Sequence, residues 1–286
     1  MVGEPALAVS LMLVYGLAFY TMGVITLVES CRPSHLPLAR ALPLLAAFGL
    51  AQGVREGVAA VALILREASP SDLAGGLELA APALLAASYL SLLLFGGALW
   101  GLTVGRRPTW VQYACWGLPV LFALSAALLA WAAPDAPVQL DLLARYALGL
   151  PGSLVAAAAA YRQAVWLRER GMEAFSRDHV LLGVGILAYG VLSGLVGPEY
   201  RGFPSSFLNE RFFARFVGLP VDLFRTGCIA LLGFSVFRSS RVLDYERKVE
   251  RQRLEELRFQ AEVHQRKAAD LALVGRVSGH LLRASS

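Results

Sequence analysis

Charge is scarce in this chain. Only 16% of its 286 residues are Asp, Glu, Lys or Arg, while 57% are hydrophobic. Soluble domains carry about 25% charged residues. A soluble core of this length could not hide so much apolar surface without leaving large exposed patches. Cysteine is also sparse. Cys31, Cys115 and Cys228 are scattered, with no CxxC pair and no Cys/His ligand spacing, which excludes a disulfide framework and a zinc site. The four histidines, His35, His179, His264 and His280, lie too far apart to suggest a metal cluster. No P-loop, GxSxG, HExxH or nucleotide-binding glycine fingerprint is present. The sequence therefore offers no catalytic residue, metal or cofactor, and no nucleic-acid partner is expected. The first apolar block follows "MVGEPA", which has no basic region of the kind that opens a cleavable signal peptide.

Apolar runs, by contrast, abound, in blocks of roughly 20 residues, the length that crosses about 30 Å of hydrocarbon. Seven blocks qualify: 6–28, 39–65, 79–104, 111–133, 140–166, 179–197 and 214–237. The expected fold is all-α, a polytopic bundle of seven transmembrane helices over 1–237. A cytoplasmic helix over 238–286 follows, leading toward an output domain absent from this chain. In the fifth block Pro151 predicts a kink. Small-xxx-small glycines, Gly97, Gly101 and Gly105, then Gly190 and Gly194, predict close helix packing within one subunit.

Arginine placement predicts orientation. Arg32 and Arg40 follow the first block, Arg106 and Arg107 the third, and Arg162, Arg168, Arg170 and Arg177 the fifth. The intervening loops "REASPSDLAGGLE" and "APDAPVQLD" are acidic or nearly neutral. Positive loops stay cytoplasmic, so the N-terminus is expected outside and the C-terminus inside a bacterial inner membrane. One outer loop opposes this pattern, since it carries Arg201, Arg211 and Arg215.

Beyond Ser239 the chain turns strongly polar and helix-forming. Leu254, Leu257, Ala261, Ala268 and Leu271 fall on an a/d stripe, interrupted by His264. The stripe predicts a helix of roughly 40 residues, about 60 Å long, paired with a second copy as a parallel homodimer. The alternative is a lone juxtamembrane helix touching anionic lipid. His280, in "SGHLLRAS", lacks the acid and the Pro or Gly of a phosphoacceptor box and reads as an ordinary exposed helix residue.

Two apolar blocks carry charge. The seventh holds Asp222 and Arg225, three apart on one face, and the second holds Gln52, Arg55 and Glu56 on another. Both groups sit roughly 10–15 Å below the same outer surface. Matched depth predicts Glu56–Arg225 and Asp222–Arg55 partners across the bundle, lining an outward-facing cavity. Such charges mark either a functional site or a buried clamp that fixes helix order. Proton or ion transport is disfavoured, because internal repeats and paired broken helices are missing from the sequence.

The run "FLNERFFARFVGLPVDLFRTG", followed by "VFRSSRVLDYERKVERQRLEE", resembles the end of the membrane-embedded N-terminal sensor region of certain bacterial sensor histidine kinases. There an "N…F…GxPxxxxR" segment opens the last span. The opening "YGLAFYTMGVITLVESCRPSHLPLARALPLLAAFGLAQGVREG" is similar to that family's first two spans. Residues carrying the resemblance include Gly23, Glu29, Arg32, Ser34, Arg40, Phe48, Gly49, Asn209, Gly218, Pro220 and Arg225. The family often has "H-G-x-H-E" in its second span. Here Gln52 and Arg55 replace both histidines, so no metal or haem role is carried over. The resemblance implies a two-component sensor whose kinase domain lies downstream. Its signal would be a small molecule or a state of the lipid bilayer, read in the outer half of the bundle. Other readings are a small-molecule carrier or channel, and a membrane scaffold that recruits a soluble enzyme.

Overall fold

A computed structural model describes residues 3–31, 37–68, 72–132 and 135–239, with 252–253, 255–260 and 262 in the C-terminal segment. The chain divides into two compact units, Met1–Ser240 and Arg241–Ser286. In the second, 255–260 is helical, with Leu257 and Phe259 exposed. The a/d positions Leu254, Ala261, Ala268 and Leu271, like Arg32, His35, His264 and His280, lie outside the described residues.

The first unit is all helix apart from its loops: α1 (Gly3–Ser30), α2 (Pro37–Ala68), α3 (Asp72–Val104), α4 (Thr109–Ala132), α5 (Ala136–Ala144), α6 (Leu150–Glu169), α7 (Glu173–Gly194), α8 (Glu210–Val217) and α9 (Val221–Ser239). Six of its helical stretches are long and apolar enough to cross a membrane: Val9–Ser30, Pro37–Arg66, Gly75–Val104, Thr109–Leu129, Ala136–Glu169 and Glu173–Gly194. They match the first six apolar blocks.

The seventh block is not one straight helix. It is broken into α8 and α9, which meet at 90°. The residues between them explain the bend. Asn209 caps α8, its Oδ1 accepting from the Phe212 N–H at 2.9 Å. Gly218 ends α8 in the left-handed region, φ 82°, which favours a residue without Cβ. Pro220 then lacks the N–H that a continuing helix needs, and Val221 restarts the chain in a new direction.

The fifth span bends by a different device. α5 and α6 are joined by a π-helical turn at Arg145–Gly149, where the Leu150 N–H reaches back to the Arg145 carbonyl. Pro151 stands just past it. With no N–H for the Ala147 carbonyl and a ring that crowds it, Pro151 favours the wider turn upstream.

The core runs through the bundle, with buried apolar residues from α1, α2, α3, α6, α7 and α9. Phe19, Phe48 and Tyr189 pack edge to face, with ring centroids 5.4 to 5.7 Å apart. Glycine lets α1 and α2 touch: a Cβ on Gly49 would lie 2.9 Å from the Gly23 Cα. Close approach of this kind drives helix association in lipid, where burying apolar surface gains little. Gly190 faces Ser153 and Gly194 faces Leu150, so this glycine pair packs α7 on α6 within the chain. Gly97 faces Cys115 of α4, and Gly105 ends α3 with φ 76°.

These contacts also set direction. α2 runs against α1, with Gly16 beside Gly53 and Gly23 beside Gly49. α9 runs against α7, with Leu232 beside Gly185 and Arg238 paired to Asp178 at 2.9 Å. Gly233 of α9 lies beside Met22, and Arg225 lies near Tyr15. α9 therefore runs parallel to α1.

Candidate functional site

The polar side chains gather at the end of the bundle where α1 begins. There α2 and α7 finish, and α3, α5 and α9 start. A cavity of about 400 Å³ opens at this end. Gln52, Arg55, Glu56, Asp222 and Arg225, the five intramembrane polar residues singled out in the sequence, all line it. So do Asp141, Arg145 and Glu210, which the sequence reading passed over.

The pairing differs from the expected one. Arg55 does not reach Asp222. Its Nη1 donates to Glu56 of the same helix, and its Nη2 donates to Asp141 Oδ1 at 2.9 Å. The other oxygen of Asp141 accepts from Arg145 Nε at 2.5 Å. One carboxylate thus bridges two guanidiniums, joining α2 to the α5–α6 span. Gln52 Nε2 donates to Glu56 at 3.3 Å, and Ser88 of α3 lies 2.8 Å from the Gln52 carbonyl oxygen.

Arg225 likewise finds other partners than Glu56. Its Nη1 donates to Asp222 at 2.7 Å and to Glu210 at 2.9 Å. The Glu210 contact exists because of the right-angle bend: a straight helix would place Glu210 more than three turns away from Arg225.

The two groups meet on one feature, the frayed end of α7. The last carbonyls of a helix have no intrahelical donors and carry partial negative charge. Arg145 Nη1 donates to the Ser193 carbonyl at 2.9 Å. Arg225 donates to the Leu192 carbonyl at 3.1 Å and also to that of Val196. Two buried arginines thereby close a helix end whose buried carbonyls would otherwise be costly. Three guanidiniums, from Arg55, Arg145 and Arg225, answer four carboxylates, from Glu56, Asp141, Glu210 and Asp222.

Several polar atoms around this network lack a hydrogen-bond partner among the described residues. They include Arg55 Nε and the hydroxyls of Tyr89, Tyr189 and Ser193. Tyr15, Tyr189 and Ser193 are close enough to interact, yet Tyr189 and Ser193 make no well-formed hydrogen bond. Buried groups of this kind are normally satisfied by ordered water or a ligand. Apolar residues, among them Met12, Leu63, Ala81 and Val138, line the same cavity. A cavity that combines many charged and polar groups with apolar lining suits a compact polar or amphiphilic solute.

Apart from Arg225, the residues carrying the family resemblance serve other ends. Asn209 is the α8 cap; its Nδ2 also donates to the Ser205 carbonyl at 3.0 Å. Gly218 and Pro220 make the bend. Glu29 is buried at the opposite end of the bundle, and Arg40 is exposed. His179 is buried, its Nδ1 2.9 Å from the Phe175 carbonyl. Among the described residues, no group of His, Cys, Asp and Glu is arranged to hold a metal ion.

Asp141 and Arg145 left a signal in the sequence. "LDLLARYALG" places an acid and a base four apart in an apolar block, the same spacing that separates the polar Gln52 and Glu56. Glu210 left none, because its role depends on the bend.

No protein-family model, curated protein or solved structure matches the chain.

Proposed function

We propose that this chain is the membrane-embedded input region of a bacterial signalling protein, linked to a histidine kinase. Its seven spans include the bent α8–α9 pair, its N-terminus is outside, and its C-terminal helix lies in the cytoplasm and pairs with a second copy. The reading is carried by one observation: the charged side chains of α2, α5, α8 and α9 converge on a cavity that opens at one end of the bundle. Ionisable groups inside a membrane protein face cavities and mark functional sites. The parallel course of α1 and α9 supports an odd number of crossings. The arginines of the loops at the far end, including Arg106, Arg107, Arg168 and Arg170, support a cytoplasmic placement of that end.

On this reading a small polar or amphiphilic solute enters the cavity from outside and shifts the arginine–carboxylate network. α9 carries both Asp222 and Arg225 and precedes the polar C-terminal sequence, so a change in their partners moves the last span. The experiment is intersubunit crosslinking in native membranes. Leu257→Cys is expected to crosslink between subunits more strongly than Arg258→Cys. Equal yields at the two positions would oppose a paired output helix.

A further inference from the structure

The α8 helix offers a surface that the cavity does not use. It is eight residues long and lies at 90° to α9. If α9 runs along the membrane normal, α8 lies in the membrane plane. At 3.6 residues per turn, its residues fall into three stripes. Glu210, Phe213 and Ala214 face the bundle: Glu210 holds Arg225, and the Phe213 ring meets the Phe224 ring of α9 at 5.5 Å. Phe212 and Phe216 form a second stripe, stacked on each other at 6.1 Å, and Phe216 is 81% exposed. Arg211 and Arg215 form a third, both exposed. The preceding loop adds Phe203, also exposed, and Arg201.

We propose that α8 and its preceding loop are a lipid-binding surface that lies flat in the interface of the leaflet at the cavity end. Phe203, Phe212 and Phe216 enter the acyl boundary, and Arg215 meets an anionic headgroup. Three observations commit the surface to lipid. The phenylalanine stripe is followed along the chain by the exposed apolar residues Leu219 and Leu223, which lead into α9. The arginine stripe stands about 100° round the helix from it, so that α8 carries separate apolar and basic faces. Arg215 is also a cation beside an apolar face, complementary to an anionic headgroup.

The same arrangement accounts for the arginines that opposed the sequence topology. Arg211 and Arg215 sit at an outer surface because an interfacial helix holds them there, Arg201 lies in the loop before it, and Arg211 is matched by Glu199 at 2.6 Å. It also gives lipid a route to the network. Glu210 and Phe216 are on one short rigid helix, so a change in how deeply α8 rides alters the Glu210–Arg225 contact. This inference rests on the membrane-spanning arrangement and is independent of whether the cavity binds a solute.

The test places 4-(trifluoromethyl)phenylalanine at position 216 of the full chain, in nanodiscs of phosphatidylglycerol and phosphatidylcholine. The fluorine signal is read with a nitroxide-labelled lipid and, separately, with a water-soluble gadolinium chelate. Loss of signal to the lipid nitroxide, with the signal kept in the chelate, is the expected result. Loss to the chelate alone would overturn the proposal and assign the surface to a soluble protein partner. Loss to neither would also overturn it, placing α8 within a protein contact. Arg215→Glu is a second variant at an exposed site, away from the core. It is expected to weaken the lipid effect in phosphatidylglycerol and leave it unchanged in pure phosphatidylcholine. Equal effects in both would remove the headgroup contact from the proposal.

Discussion

Arg225 of α9 and Glu210 of α8 are 15 residues apart and meet at 2.9 Å across a right-angle bend. The pair ties a surface helix to the last span, but its members are not equally placed. Arg225 is buried, whereas the Glu210 side chain is 42% exposed. Removing a buried charge's partners is far more costly than breaking a solvated pair. Arg225→Leu leaves no buried charge unpaired but strands the Leu192 and Val196 carbonyls, at about 1–3 kcal/mol for each unsatisfied buried group. Glu210→Gln leaves Arg225 with Asp222 and those carbonyls and is expected to cost about 1 kcal/mol or less. Thermal unfolding in detergent orders the two. Equal losses would mean that Arg225 depends on Glu210 alone.

Double-mutant cycles separate the observed pairing from the one expected by depth. Arg55 and Asp141 are in direct contact, so Arg55→Leu and Asp141→Leu together should cost less than the sum of the single losses. Glu56 and Arg225 share no hydrogen bond, and their losses should add within about 0.5 kcal/mol. Strong coupling of Glu56 to Arg225, with none between Arg55 and Asp141, would reverse the assignment.

The α1–α2 contact makes a packing prediction. Gly49→Ala brings a Cβ to 2.9 Å from the Gly23 Cα, against backbone that cannot easily yield. Overpacking of this kind costs about 1–3 kcal/mol. Gly117→Ala in α4 meets nothing within 4 Å and should gain up to about 1 kcal/mol from helix propensity. The two alanine variants should shift the unfolding temperature in opposite directions. A neutral Gly49→Ala would mean that α1 and α2 are not closely packed in the membrane.

Orientation is tested by reporter fusions after Gly105 and after Arg238, both expected to read cytoplasmic. Opposite readings at the two positions would mean that α9 does not cross, leaving six spans.

Much of this was legible in the sequence, for identifiable reasons. Helices long enough to cross a membrane announce themselves by length and hydropathy, and six apolar blocks became six such helices. Gln52, Arg55, Glu56, Asp222 and Arg225 stood out because charge is rare in apolar runs, and they do share one cavity. Their partners were not legible. Depth along the membrane normal is readable from residue counts, but position around the bundle is not. Arg55 therefore turned to Asp141 on the neighbouring span rather than to Asp222 at similar depth. The seventh block hid its break because "FFARFV" is apolar enough to pass for part of a span. Asn209, Gly218 and Pro220 were visible as a family-like motif, but their shared purpose, capping one helix and starting another at a right angle, needed the backbone. Glu210 became a partner of Arg225 only through that bend.

In the proposed function the cavity network governs the C-terminal helix through α9. Filling the cavity without altering any charge probes that link. Ala59 lines the cavity, whereas Val54 on the same helix is exposed on the outside of the bundle. Ala59→Trp and Val54→Trp are each combined with Leu257→Cys, and intersubunit crosslinking is compared in native membranes with the parent and Leu257→Cys alone. The account predicts that Ala59→Trp changes the crosslink yield at Leu257→Cys, while Val54→Trp leaves it as it was. An unchanged yield with Ala59→Trp, in protein that is folded and membrane-inserted, would contradict it and leave the network as a clamp that fixes helix order.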